Sequence, residues 1–316
     1  MERGSLVSPS RSASWRLGVQ PISCNRFATL TSRDDNPSDM DGAVQLILHY
    51  LARGAIRTAA QLLLVLGPVM VLAIVLHYLS RYVRTRAARV MGLDAYTYFT
   101  APGVMVHELG HAFFCVIFRH KIVRMRLFSP QADGTLGSVE HAYNPRSTYQ
   151  KIGNFFIGTG PIWFGTAIVF LLARYLLNLP AVSIEASNSF DNGSSLATLI
   201  PQVMATAWQL FAAILHSAVD SGWRFWLFVY LVFCIGSHIT LSRSDIDGAG
   251  RGLVWLILFV LIVNLLTLWA DGRYTVWTCD RLVSGSAIFY AAGIFVVCCN
   301  IGLAIILFLL SAMRGR

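Results

Sequence analysis

The sequence predicts an all-α polytopic membrane protein with about six transmembrane helices and a single β-hairpin. Two compositional facts and one pattern carry that expectation. Of 316 residues, 55% are hydrophobic and only 13% are charged, whereas a soluble domain carries about 25% charged residues. Mean hydropathy is +0.59. The apolar runs are long and continuous rather than alternating, which fits helices and not the strands of a membrane barrel.

In chain order, residues 1–39 are rich in serine and arginine (Arg3, Arg11, Arg16, Arg26, Arg33). They read as a disordered N-terminal extension of transit-peptide-like composition. Residues 40–96 hold an amphipathic interfacial helix (43–56) and the first span. Residues 97–262 form the functional core, and 263–316 a C-terminal transmembrane region. Six segments are long enough for roughly 30 Å of hydrocarbon: 60–79, 97–118, 153–177, 223–241, 252–270 and 286–312. A further pattern over 197–219 is amphipathic, with Gln202, Gln209 and His216, and is expected at the surface of the bundle.

The net charge of +9 does not indicate nucleic acid, because the basic residues flank apolar segments as juxtamembrane arginines do. The loop 119–152 holds Arg119, Lys121, Arg124, Arg126, Arg146 and Lys151, while 179–222 lacks lysine and arginine and carries Glu185, Asp191 and Asp220. The positive-inside rule then places 119–152 in the cytoplasm and 179–222 outside. Arg81, Arg84, Arg86 and Arg89, in an expected outer loop over 80–96, oppose that assignment. The six cysteines form no CxxC pair and read as small hydrophobes. Within 119–152, Lys121–Phe128 and Thr135–His141 are β-prone and separated by Ser129–Gly134, which predicts the hairpin.

His107-Glu108-Leu109-Gly110-His111 lies inside the second span. A helix turns about 100° per residue, so His107 and His111 share one face. Two imidazoles so placed make half of a tetrahedral zinc site, and Glu108 can act as general base on a water there. Three such groups are expensive in hydrocarbon and point to function. A third ligand is sought among few acids. Glu140 and Asp133 lie in the hairpin region, Glu185, Asp191, Asp220, Asp271 and Asp280 in expected outer segments. What remains is Ser242-Arg243-Ser244-Asp245-Ile246-Asp247-Gly248. Asp245 and Asp247 differ by about 200° around a helix, so only one can face the histidines. The Ser-x-x-Asp spacing favours Asp245, with Asp247 the alternative.

HELGH in a transmembrane helix, a β-prone loop after it, Gly158-Thr159-Gly160-Pro161 opening the next span and the Asp–Gly element over 242–248 together resemble the site-2-type intramembrane zinc metalloproteases. The likeness covers roughly 97–262, about half of the chain. It implies His107 and His111 as Zn²⁺ ligands, Glu108 as catalytic base and an aspartate of 245–247 as third ligand. Many members carry a proline-rich Asn…Leu-Asp-Gly sequence, whereas Leu241–Gly248 reads LSRSDIDG. That is closer to a divergent branch with Ser-x-x-Asp-x-x-Gly, and it leaves no asparagine for the oxyanion.

The expected activity is hydrolysis of membrane-embedded or juxtamembrane peptide bonds in a membrane-protein substrate. The hairpin would clamp an unwound segment by strand addition, with Ile122, Arg124 and Met125 as contact residues and His238 as a donor to substrate. His77, His120 and His141 are expected near membrane edges, their polar tips reaching water. Gly158 and Gly160 before Pro161 read as a close helix contact and kink. Two other readings are a non-catalytic scaffold or pseudoprotease and a metal-binding transporter, for which inverted repeats are not visible. A bacterial plasma membrane and an organelle membrane both suit the composition, and the sequence fixes no oligomeric state.

Overall fold

The computed structural model describes residues 37–178, 205, 208–209, 212–217, 220–270, 293–309 and 311–313. The expected extension up to residue 36, the acids Glu185, Asp191, Asp271 and Asp280, most of the 197–219 pattern and the start of the 286–312 span lie outside the described residues.

The chain is mostly helical. α1 (Pro37–Met91) is one unbroken helix of 55 residues. The expected division into an interfacial helix, a span and an 80–96 loop is therefore corrected: the sequence between 43 and 91 has no break that stops a helix. Pro68 removes a single donor, and arginine is itself a good helix former. α1 stops where Gly92 takes φ 91°, a left-handed conformation that suits glycine. The short α2 (Leu93–Phe99) follows.

α3 (Ala101–Ile117) carries HELGH and starts with Pro102 in its first turn. Beyond it lie strands β1 (Lys121–Arg126) and β2 (Ser138–Ala142), antiparallel, with Ile122 opposite His141 and Arg124 opposite Glu140. A register shift between Ile122 and Arg124 leaves Val123 unpaired. The connecting turn is fixed where Asp133 accepts from the Thr135 amide at 2.9 Å.

The expected 153–177 span is a bent pair. α4 (Thr148–Gly158), capped by the Ser147 hydroxyl, and α5 (Gly160–Leu176) meet at 60° across Thr159. α6 (Trp223–His238) runs back, and α7 (Arg243–Ala270) fuses the Ser–Asp element and the following apolar segment into one helix. α8 (Gly293–Met313) closes the described chain.

Among the described residues, three helices are long and apolar enough to cross a membrane: Gly42–Met91, Arg243–Trp269 and Gly293–Met313, or four if the bent pair counts as one span. Ala101–Ile117 and Trp223–His238 are apolar but shorter. The described residues thus provide three or four such spans, not the six expected. Ala101–Ile117 runs from a cap at Thr100 to a break at Phe118, and Trp223–His238 from Gly222 to a break at Ile239.

Leu76, Ile162, Val169, Phe228, Val232 and Val296 form the main apolar core, joining α1, α5, α6 and α8. α1 and α7 are pinned by a buried polar cluster in which the Asn264 amide donates to Thr58 Oγ1 at 2.9 Å and Gln61 Oε1 at 2.8 Å. Small residues bring the site's helices together. A side chain at Gly110 would meet Pro161 Cα at 2.9 Å, so α3 and α5 touch backbone to backbone.

Candidate metal centre

Helical spacing puts His107 and His111 side by side, with ring centroids 4.9 Å apart. Each ring is fixed from behind. His107 Nδ1 lies 2.7 Å from the His238 carbonyl oxygen, and His111 Nδ1 lies 2.7 Å from that of Ile157. A carbonyl only accepts, so both Nδ1 atoms carry the proton, and a neutral ring then presents a bare lone pair at Nε2.

Those two Nε2 atoms are 3.2 Å apart. Asp245 Oδ1 is 3.3 Å from His111 Nε2, and Oδ2 is 3.9 Å from His107 Nε2. Three electron-pair donors thus converge on one point with no proton to share between them. A tetrahedral site with bonds of about 2.0–2.1 Å has ligand-to-ligand edges of about 3.3 Å. The Nε2–Nε2 and Nε2–Oδ1 separations match that edge and the His107–Asp245 separation is longer, and among the described residues this is the one group of three whose ligand atoms lie within 4.8 Å of one another. The donor set fits a metal cation. Rings backed by carbonyls are also the arrangement that orients histidine ligands in metal sites.

Both backing carbonyls come from the last turn of a helix, where acceptors lack helical partners. The residue that would donate to Ile157 in a continued helix is Pro161, which has no N–H. The one that would donate to His238 is Ser242, whose amide instead donates to Asp245 Oδ2 at 2.8 Å. In return the Asp245 amide donates to Ser242 Oγ at 3.2 Å. This reciprocal cap starts α7 and holds the carboxylate still, so Asp245 caps its helix and faces the histidines at once.

Replacing Pro161 with alanine supplies an amide that competes for the Ile157 carbonyl. Zinc or cobalt affinity is expected to fall roughly 10-fold, read by competition with a chromophoric chelator; unchanged affinity would refute the role given to that carbonyl.

The cluster opens on a cavity of about 810 Å³ that Glu108, His238, Arg251 and residues 135–141, which lead into and include most of β2, also line. Glu108 is 7% exposed, and its Cγ packs under Gly137. Asp247 stands outside the cluster, its carbonyl taking the Arg251 Nε proton at 3.3 Å. Of the sequence candidates for substrate contact, Ile122, Arg124 and Met125 on β1 do not line the cavity, whereas Ser138, Val139, Glu140 and His141 of β2 do. His238 does line it, with its carbonyl on His107 and its ring Nε2 on the Thr100 hydroxyl at 3.0 Å.

His120 is not a surface histidine but 6% exposed, and it pairs with His141, which lines the cavity. Reading both as edge residues missed this, because the two rings that meet are 21 residues apart in sequence and are brought together by the hairpin. The backing carbonyls were missed as well. The only sequence signal for either is the proline at 161.

Fold and site together define a mostly helical protein with spans suited to a membrane and a His–His–Asp group able to hold a metal. Comparison with protein-family profiles, curated proteins and solved structures finds no match to the chain.

Proposed function

We propose that this protein is a multi-pass membrane zinc metallopeptidase, similar to the site-2-type intramembrane proteases, acting on membrane-embedded or juxtamembrane segments. The observation that carries the reading is the convergence of two proton-free Nε2 atoms and a capped carboxylate beside a buried glutamate. Two nitrogens and one oxygen suit zinc, and a three-residue set leaves a position for water, as in catalytic zinc sites.

His107, His111 and Asp245 would hold the ion. Bound there, zinc would supply Lewis acidity toward a water and toward the peptide carbonyl. Glu108 takes the proton of the attacking water and returns it to the leaving amine. The cavity holds the substrate segment as an extended chain along residues 135–141, where β2 and the chain leading into it line the cavity. A helix hides its peptide bonds, and an unwound one needs partners that lipid lacks. Gly137, lying on Glu108, brings that segment within reach of the base.

Purified protein is expected to carry stoichiometric zinc and to cut a reporter containing a transmembrane segment. Chelation should abolish cleavage and zinc should restore it. Metal-free protein, or cleavage indifferent to chelation, overturns the reading.

A further inference from the structure

The His120–His141 pair has no part in the chemistry above, yet one member, His141, lines the same cavity. His120 Nε2 lies 2.9 Å from the Gln150 carbonyl oxygen, which can only accept, so that nitrogen carries a proton. His120 Nδ1 lies 3.0 Å from His141 Nδ1. Burial lowers the pKa of His120. Burial, then the neighbouring His120 and His111, lower that of His141 to about 4. Both rings are therefore neutral near pH 7, and their tautomers follow one from the other. His120 holds its proton at Nε2 and is bare at Nδ1. His141 must donate across the 3.0 Å contact, which leaves its own Nε2 bare. That nitrogen lies on the ring edge away from His120, and His141 lines the cavity beside the histidine–aspartate cluster.

We propose that His141 is a substrate-positioning residue whose Nε2 accepts a hydrogen bond from an N–H of the peptide segment bound in the cavity. The assignment rests on the peptidase reading and adds to it a subsite and the orienter of that subsite. An unwound segment brings N–H groups that have lost their helical carbonyls, and leaving one unpaired in a desolvated site is costly. Of the carboxylates that line the cavity, Asp245 is committed to its cap and would hold the cation, and Glu108 is committed to the proton transfer. Gln150 acts through His120 to keep His141 in the accepting tautomer, so the hydrogen-bond chain runs from a helix start to the substrate.

The test uses zinc-loaded full-length protein and a fluorescein-labelled reporter peptide. Phenylalanine at His141 keeps the ring and removes the acceptor. His141→Phe is expected to raise KM about tenfold with kcat within about twofold and zinc content unchanged. The same shift should appear in the Kd of uncleaved reporter for a Glu108→Gln background, read by anisotropy. His141→Gln, whose amide oxygen can reach the position of Nε2, should recover part of the loss, and His120→Phe should reproduce it. A His141→Phe variant with unaltered KM and Kd overturns the proposal, as does one that loses zinc or kcat while KM holds, since a purely structural pair would behave so. Wild-type protein that lacks zinc or does not cut overturns the peptidase reading itself, a result visible before any variant is made.

Discussion

Glu108→Gln is expected to retain zinc at wild-type occupancy and to hydrolyse peptide at least about 100-fold more slowly. Glutamine matches the volume of a side chain that is 7% exposed and wedged under Gly137, so packing is conserved. What it loses is the ability to take a proton from water and give it to an amine. Glu108 is one residue on from His107, roughly 100° around the helix, and no part of the three-residue cluster, so its loss should spare the ion. His107→Ala and His111→Ala should differ in kind. Each removes a lone pair from a site with only three protein donors, and metal and activity should fall together. Zinc content and initial rates on one reporter separate the two classes. A Glu108→Gln protein that cuts at the wild-type rate would remove glutamate from the chemistry.

Much of this site could be read from residue spacing because helices make spacing geometric. His107 and His111 had to share a face, and a serine three residues before an aspartate had to form a cap. What spacing could not say is which way that capped carboxylate points, since Asp245 would cap equally well with no histidine near it. Packing decides it, through α4 lying along α7. The hairpin was legible from its β-prone runs, but not which strand faces the cavity, because a two-stranded ribbon has two edges and its sequence does not rank them. The arginines over 81–89 misled in another way. They mark where hydrocarbon should end, yet a helix has no reason to stop there, and α1 continues to Gly92. The backing carbonyls illustrate the general limit: main-chain acceptors are the same at every position, so only a missing donor, as at Pro161, betrays one that is free.

Gly158→Ala is expected to weaken metal binding by about 10- to 100-fold although it touches none of the three ligands. A side-chain carbon at 158 would run into the Asp245 carbonyl oxygen and would stand 2.8 Å from the Ala249 amide nitrogen. Both obstacles are backbone, so neither can rotate away, and α4 and α7 must part. Gly158 follows Ile157, whose carbonyl orients His111, and Asp245 sits on the opposing helix. A few tenths of an ångström between the helices therefore separates two ligands that now stand 3.3 Å apart. Gly248→Ala, on α7 with nothing within 4 Å of the added carbon, is the matched control and should bind zinc as the wild type does, with slightly better helix propensity. Chelator competition gives the affinities, and circular dichroism shows that both variants keep their helices. Equal zinc affinity in the two variants would mean that the α4–α7 contact does not set the metal geometry.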